Sequence, residues 1–474
     1  MRGLLKKICT FALVAVMAGT QTVSVLADKT EITQGTPYVA SSASSMTVKN
    51  LALSLDGSAA IDSNGNLWMW GDLGFNSAFS VSRYGENSPV PKQVLPDVKF
   101  SEISMGNTSS NGGGIDKDGH LWMWGHNTSG TLANGEQDMS TDNQMRYNNY
   151  SPIKVMTDKT FKTICVNGEN AGAIDGEGNL WMWGNNSYRQ LGVEDKSIFE
   201  PTIIMEGTKF TKIAIGVNMD HEDFCGAIDT DGRLWLWGSE LRSDTFIQFM
   251  PGTKFVDISF EVYGGMALDS EGVIWDLWGP KLDAGDVRFK DIESGQFFNG
   301  AIDTDGHLWM CGSNEMGQLG NGTREDEYKL VMIEPNTTFE ALDLGSDFSG
   351  AIDTSGNLWM WGSNAAGTIG NGKDGNDAYD ETGDYSNAYV GKPIKVVLDS
   401  SLSKSISAGK KLTLKTSKKA IDWTSSNSFV ADVKKSGRKK AIVTGKSKGT
   451  ATIKAYTGKG SKRKLLKAWV VEVE

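Results

Sequence analysis

The chain has 474 residues, 22% of them charged and 39% hydrophobic, and a formal net charge of −11. The charge is divided: residues 392–474 carry 21 Lys and Arg against 5 Asp and Glu, or +16, which leaves −27 on residues 1–391. That acidic part excludes general nucleic-acid binding, which needs a basic surface for phosphates, and the change of sign marks two modules.

In chain order, Arg2, Lys6 and Lys7 precede the apolar run ICTFALVAVMAG, and Val25 and Ala27 place small residues where a signal peptidase reads. Residues 1–27 therefore read as a cleaved secretory signal, followed by a polar linker over 28–45. The apolar run is too short for a membrane span, and no later stretch of about 18 apolar residues follows. Cys9 starts the run rather than ending it, which argues against a lipid-anchored cysteine. The mature chain is expected to be exported and either secreted or held non-covalently at a bacterial cell surface.

From Ala59 one phrase recurs seven times: AAIDSNGNLWMWG, then copies starting at Gly113, Gly172, Gly226, Met266, Gly300 and Gly350. Each has two short apolar runs joined by a turn in which Asp accepts backbone N–H groups and Gly takes positive φ. Strand alternation puts Trp181 and Trp183 on one face and Leu180 and Met182 on the other, so both faces need cover. A third run precedes the pair, as in FKTICVNG from Phe161, and a fourth follows a variable loop, as in KPIKVV from Lys392. Four strands per unit, covered on both faces by neighbouring units, is the pattern of a β-propeller blade, and seven blades over residues 46–398 should close a ring. Lys392–Leu398 is expected to supply the last blade's final strand and to be needed for closure.

The phrases F-x-x-I-x-x-G, G-A-I-D-x-x-G-x-L-W-x-W-G and G-x-N-x-x-G-Q-L-G-x-G resemble the regulator of chromosome condensation repeat family. That resemblance implies a seven-bladed propeller. It is strong at Gly184–Gly192 and Gly312–Gly322 and weaker at Gly71, Gly238 and Gly279, where the glycine-asparagine loop is replaced. The eukaryotic namesake exchanges guanine nucleotide on a small GTPase and contacts chromatin; an exported acidic relative is expected to keep only the rigid protein-binding disc.

Beyond the ring, residues 399–474 turn to Lys, Ser and Thr alternating with apolar residues and read as a small β-sandwich. The phrases W-x-S-S-N-x-x-V-A-x-V from Trp423 and V-T-G-x-x-x-G-T-A-T-I from Val443 resemble the bacterial immunoglobulin-like domain of group 2, which commonly serves surface proteins as a spacer or adhesive module. The chain is thus expected to be all-β.

No catalytic constellation emerges. DKDG at Asp116 and DTDG at Asp229 and Asp303 begin like calcium loops, but Leu, Trp and Met stand where later ligands belong, so they read as hairpin turns. GKSKG at Gly445 fits a nucleophile phrase but leads into a strand, with no placed His. His120 and His307 occupy a position held elsewhere by Asn or Arg and read as exposed turn residues. Cys165, Cys225 and Cys311, one in each of three copies, read as small buried hydrophobes, with Cys311 in a Trp position leaving its blade underpacked. The tryptophans read as core rather than as a glycan platform. No enzyme activity, cofactor or metal is expected.

Function then falls to the loops after each W-G, which should all emerge on one side of the disc. Their large side chains, Phe75, Tyr84, Tyr147, Tyr150, Tyr188, Arg189, Tyr328, Tyr379, Tyr385 and Tyr389, are of the types enriched at binding hot spots. The basic candidates for contact with an anionic cell-wall polymer are Lys434, Lys435, Arg438, Lys439, Lys440, Lys462, Arg463 and Lys464. The expected function is an exported bacterial binding or adhesion protein for a protein or glycan partner. The alternative is a secreted inhibitor of a hydrolase such as a β-lactamase, a role known for this propeller fold.

Overall fold

The computed structural model describes residues 46–473 apart from 73–87, 107–108, 110, 137–149, 188, 194–196, 218–223, 239–242, 261, 263, 280–283, 374–388 and 459–462. The secretory signal and polar linker expected over residues 1–45 lie outside this range. The chain is all-β, with seven consecutive antiparallel sheets followed by a two-sheet sandwich. Blades one to seven run Val48–Val94, Phe100–Val155, Phe161–Ile204, Phe210–Phe249, Phe255–Asp276, Phe289–Ile333 and Phe339–Val396. Six blades have four strands in sequence order; blade five has three among the described residues.

One hairpin turn fixes every blade. In blade three, Asp175 Oδ1 accepts the N–H groups of Glu177 and Asn179 at 2.9 Å, and Oδ2 accepts Asn179 Nδ2 at 2.8 Å and Trp181 Nε1 at 2.8 Å. The indole bond recurs from Trp68, Trp122, Trp235, Trp275, Trp309 and Trp359 to the Asp of their own blades. This is why the phrase spaces Asp and the first Trp six residues apart. Gly178 takes φ +87°, and its carbonyl is turned out toward the next blade.

That outward carbonyl links the ring. The N–H that opens each first strand donates to the turn glycine of the preceding blade: Phe100 to Gly65, Phe161 to Gly119, Phe210 to Gly178, Phe255 to Gly232, Phe289 to Gly272 and Phe339 to Gly306. The seventh bond, Val48 N–H to Gly356 at 2.8 Å, joins the first blade to the last. Apolar closure coincides with it, since Val48, Leu51 and Leu53 pack with Phe348, Ile352 and Met360. Lys392–Leu398 supplies the last blade's final strand, as expected, and Val396 and Leu398 are buried in this same cluster, while the backbone bond of closure is made by Val48. Tyr389–Val396 is the outer strand of blade seven, and the ring closes through the first strands nearer the axis.

Blades pack by side chains entering spaces kept open by glycine. A Cβ at Gly172 would lie 2.4 Å from Ile213 Cδ1 of the next blade, and one at Gly300 would lie 2.5 Å from Leu342 Cδ2. The copies therefore keep Gly or Ala at this position, blade five alone carrying Met266.

The sandwich pairs a sheet of Ser403–Ile406, Lys464–Val473, Gly449–Thr457 and Asp422–Ser425 with one of Lys411–Lys415, Lys440–Gly445 and Ala431–Lys435. Trp423 stacks on Trp469 with ring centroids 5.6 Å apart. It docks on blade one: Val90 is buried in the sandwich core, and Lys92 pairs with Glu472 at 2.7 Å.

Candidate binding surface

The loops after each W-G leave one side of the disc together with the turns between first and second strands. Asp72, Asn185, Ser313 and Ser363, at or just past the ends of the third strands, donate their N–H to Asp56, Glu169, Phe297 and Asp347 in those turns. The opposite side carries the Asp-Gly hairpins.

Where the G-x-N-x-x-G-Q-L-G loop is present, it is built into the next blade. Asn186 Oδ1 accepts the N–H of Leu191 at 2.8 Å, and Asn314 Oδ1 that of Leu319 at 3.0 Å, which curls each loop over its own Asn. Leu132, Leu191, Leu319 and Ile369 are fully buried. At three of the four seams with this loop the second Trp of the following blade bonds to it: Trp183 Nε1 to Thr131 O at 2.8 Å, Trp361 to Gln318 O at 2.8 Å and Trp70 to Thr368 O at 2.6 Å; Trp237, beside the blade-three loop, makes no such bond. Loop and Trp are one device shared by two blades.

This pairing explains the departures from the repeat. Blade four lacks the loop, and in blade five Trp278 turns back onto Phe224 and Phe260, at centroid distances of 5.0 Å and 6.2 Å. Blade five lacks it too, and blade six has Cys311 in place of the Trp. Cys311 is therefore matched to a missing neighbour loop.

Of the aromatic and basic loop candidates, Phe75, Tyr84, Tyr147, Tyr188, Tyr379 and Tyr385 lie outside the described residues. Arg189 is exposed at φ +62° on the loop side. Tyr150, Tyr328 and Tyr389 stand in outer strands, so the structure moves them from loop tips to the rim. Tyr328 is 72% exposed, while the Tyr389 ring lies 5.3 Å from the Arg324 guanidinium. In the sandwich Lys434, Lys435, Arg438, Lys439 and Lys440 are exposed along one edge. Arg463 is held by Asp422 at 3.0 Å and by the Tyr456 ring at 3.5 Å; Lys462 lies outside the described residues.

The loop side is acidic around the mouth of the ring. Burial, then the neighbouring Asp72 charge, raises the Asp56 carboxyl, and burial with Asp56 nearby pushes Asp347 up to about 6. His126 sits in the field of Asp72 and Glu169, although burial lowers its pKa.

A larger acidic group along the axis escaped the sequence reading. Glu102, Asp257, Asp291, Glu293 and Asp343 project from first strands, with the half-buried Lys212 among them. These acids link first strands that belong to separate sheets. Glu102 accepts Ile164 N–H at 2.9 Å, Asp291 accepts Leu342 N–H and Asp343 accepts Leu53 N–H, each from the next blade. Ser104 and Ser259 do the same for Val166 and Ser294. Burial pushes Glu102 and Asp291 up to about 7, and it raises Glu293 and Asp343. Burial pulls the Lys212 pKa down, but Asp257 at 2.5 Å, with Glu293 and Asp291, outweighs it and raises the value. The legible signal was polar residues at the second and fourth positions after the Phe of F-x-x-I.

The calcium-like phrases resolve as turns, because each Asp is occupied by its own hairpin. Asp116, Asp118 and His120 do bring ligand atoms within 4.8 Å of one another. Asp116 Oδ1 nevertheless accepts both following N–H groups, and Trp122 takes Oδ2 at 3.0 Å. His120 and His307 are half-buried rather than exposed, with Nδ1 3.0 Å from their turn Asp. Ser447 of GKSKG donates to Phe429 O at 2.9 Å in a strand-to-strand turn. Cys225 and Cys311 are buried; Cys165 is half-buried toward the axis, where burial pushes its thiol up to about 12.

These features define a seven-bladed propeller joined to an immunoglobulin-like sandwich. Residues 177–219 and 305–352 match the regulator of chromosome condensation (RCC1) repeat, and residues 392–468 match the bacterial Ig-like domain (group 2). The chain therefore carries RCC1 repeats followed by a group 2 bacterial Ig-like domain. It is 30% identical to the RCC1 domain-containing mitochondrial protein RUG3 of Arabidopsis thaliana, over 33% of each protein. It is 23% identical to the ultraviolet-B receptor UVR8 of the same plant, over 56% of this chain and 52% of that one. The chain thus spans about half or less of the length of these curated relatives. Among solved structures, Prp20p of Saccharomyces cerevisiae superposes with a TM-score of 0.55 at 14% identity, covering 85% of this chain and 93% of that one. Human WBSCR16 gives 0.55 at 15% identity, covering 65% and 88%. At these identities the likeness establishes the propeller.

Proposed function

We propose that this protein is an exported bacterial binding protein whose loop side grips a protein partner with a basic surface. The observation that carries this reading is the acidic mouth formed by Asp56, Asp72, Glu169 and Asp347 on the side where the variable loops gather. Rigid blades present these groups, and variable loops on a rigid scaffold are where recognition usually resides. The solved relative Prp20p is described with binding to Gsp1p and histones, which supports protein binding as the use of such a disc. The exposed Lys434–Lys440 edge is proposed to contact an anionic envelope polymer.

The test is affinity capture on the immobilised mature chain, in parallel with a variant carrying Asp56→Asn and Asp347→Asn. The proposal expects proteins retained by the parent to be lost from the variant and released as salt shortens the Debye length below about 8 Å. Identical retention by both proteins would place binding elsewhere.

A further inference from the structure

The sandwich sheet of Lys411–Lys415, Lys440–Gly445 and Ala431–Lys435 lies in the layer away from the Lys464–Val473 strand that meets blade one. Leu414, Ala431, Ala441 and Val443 point inward and are buried, so strand alternation turns Lys411, Lys415, Lys434 and Lys440 outward, where all four are exposed. Lys415 and Lys440 lie directly opposite one another on neighbouring strands. Like charges in that relation weaken a sheet, so the pair is one that an anion would relieve.

The fold brings more cations to the same end. Thr416 N–H donates to Lys439 O and Ala420 N–H to Arg438 O, both at 2.9 Å, which clamps the turn carrying Lys418 and Lys419 against the hairpin carrying Arg438 and Lys439. These four side chains are exposed as well. Residues 411–419 thereby join the basic edge of residues 434–440 in one continuous face.

The acids of the sandwich are engaged elsewhere. Asp422 is held by Arg463 at 3.0 Å, Asp432 by Lys446 at 3.9 Å and Glu472 by Lys92 of blade one at 2.7 Å, while Asp399 accepts the N–H of Ser401. Among the described residues, Lys415, Lys418, Lys419, Lys439 and Lys440 make no ion pair.

The chemistry of the face selects among anionic partners. Protein–protein interfaces are depleted in lysine and enriched in aromatic residues and arginine. Here the apolar member of the outward rows is the half-buried Ile442, and Arg438 stands alone among lysines. Planar carboxylates are best matched by guanidinium forks, whereas an ammonium group binds phosphate as a point charge in any orientation. Single-stranded nucleic acid needs aromatic side chains on which bases stack, and these rows carry none. Across the three strands the Cβ atoms of Lys415 and Lys440 are about 5 Å apart, and those of Lys440 and its diagonal neighbour Lys434 about 7–8 Å. That spacing suits a flexible chain with an anion in every short repeat.

We infer that this face docks a linear polyol-phosphate polymer of a bacterial envelope, with successive phosphates at Lys415, Lys440 and Lys434 and the two basic turns holding the chain at one end. This rests on the proposal that the chain is exported and that its sandwich meets the envelope, and it adds the phosphate chemistry and the residues that read it.

The full mature chain is to be sedimented with cell walls that carry polyol phosphate, and with the same walls after hydrofluoric acid has cleaved their phosphodiesters. Retention on the first and loss on the second is expected. Equal retention on both overturns the phosphate assignment while leaving contact with the envelope standing; retention on neither refutes that contact too. Soluble poly(glycerol phosphate), titrated into the same protein, should bind saturably and more weakly as salt rises, with polygalacturonate and oligothymidylate of matched charge at least about tenfold weaker. Lys415→Gln with Lys440→Gln should weaken this binding at least about tenfold with melting unchanged or raised. Lys410→Gln with Lys448→Gln, an equal loss of charge at the Gly445 end of the sandwich, should leave affinity within about twofold. Equal losses in both pairs, or a carboxylate polymer or oligothymidylate bound as tightly, overturn the assignment. So does salt-sensitive self-association of the parent that the Lys415 and Lys440 changes abolish, which would give the face to the acidic propeller of a second copy.

Discussion

Replacing Asp175 by Ala tests whether the repeated hairpin is held by its carboxylate. The substitution removes four hydrogen bonds to one charged acceptor, two from backbone N–H groups and two from Asn179 and Trp181. Bonds to charged groups contribute about 1.5–3 kcal/mol each, but these share one carboxylate and water can reach part of the turn. A net loss of about 3 kcal/mol follows. With melting entropy near 2.1 cal/mol/K per residue, a ring of roughly 350 residues has about 0.7 kcal/mol/K, so Tm should fall by about 4 °C. Asp175→Asn should fare little better, because its amide would set a donor against Trp181 Nε1 and Asn179 Nδ2. Calorimetry with a urea titration reads both, and a shifted midpoint at constant slope marks a true stability change. A double-mutant cycle with Trp181→Phe should give a coupling of about 1 kcal/mol. Melting of Asp175→Ala within about 1 °C of the parent, against the roughly 4 °C expected, would refute the hairpin as the element that holds each blade.

The pH dependence should have two opposed limbs. Glu102 and Asp291, raised by burial to about 7, favour the fold fully below their ordinary carboxylate pKa and lose that contribution as pH rises through 7. Asp116, Asp175, Asp303 and Asp353 lie below the ordinary range, because their hydrogen bonds outweigh burial; they stabilise above it and lose this as pH falls through their folded values. Tm should therefore be higher at pH 5 than at pH 8, with the difference reduced in Glu102→Gln and Asp291→Asn; a flat profile between those pH values would contradict the axial cluster. Truncation after Gly391 removes most of an outer strand and the whole sandwich but leaves Val48 bonded to Gly356, so relative to a chain ending after Leu398, which lacks only the sandwich, it should lower Tm while one cooperative transition persists; separate transitions for the blades would show that closure does depend on that strand.

The fold was legible where one residue type solves the same local problem seven times. Asp, Gly and Trp at fixed spacing reveal the hairpin because their bonds lie within thirteen residues. Interactions between blades were less visible. Cys311 looked like a volume defect in its own blade, yet its cause lies in blade five, whose connection lacks the loop that other tryptophans bond. The axial acids were hidden for a similar reason. In a single strand, Glu102 and Asp291 read as exposed alternates, and only the ring brings the next blade's N–H groups to them. The hot-spot tyrosines were chosen by residue type on the assumption that everything after W-G is loop, whereas Tyr150, Tyr328 and Tyr389 already belong to the following strand.

Two modules of opposite charge on one chain would be drawn together if the connection left them free, and the seam between them opposes that collapse. Val90 of blade one completes the sandwich core, Lys92 pairs with Glu472, and Gly372 of blade seven lies against Leu465 and Ala468. Glu472, Leu465 and Ala468 are on the Lys464–Val473 strand, and the turn Ser400–Leu402 also lies against the outer strand of blade one. Lys434, Lys435 and Lys440 belong to the other sheet, so the dense basic edge is carried on the layer that does not form the seam. Apolar burial contributes most at such a contact, while a half-exposed ion pair contributes about 1 kcal/mol or less, so the seam should outlast salt that screens the charges. The acidic mouth and the basic edge are thereby kept apart, each available to a different partner, and the orientation between them is set by packing at Val90 rather than by their mutual attraction.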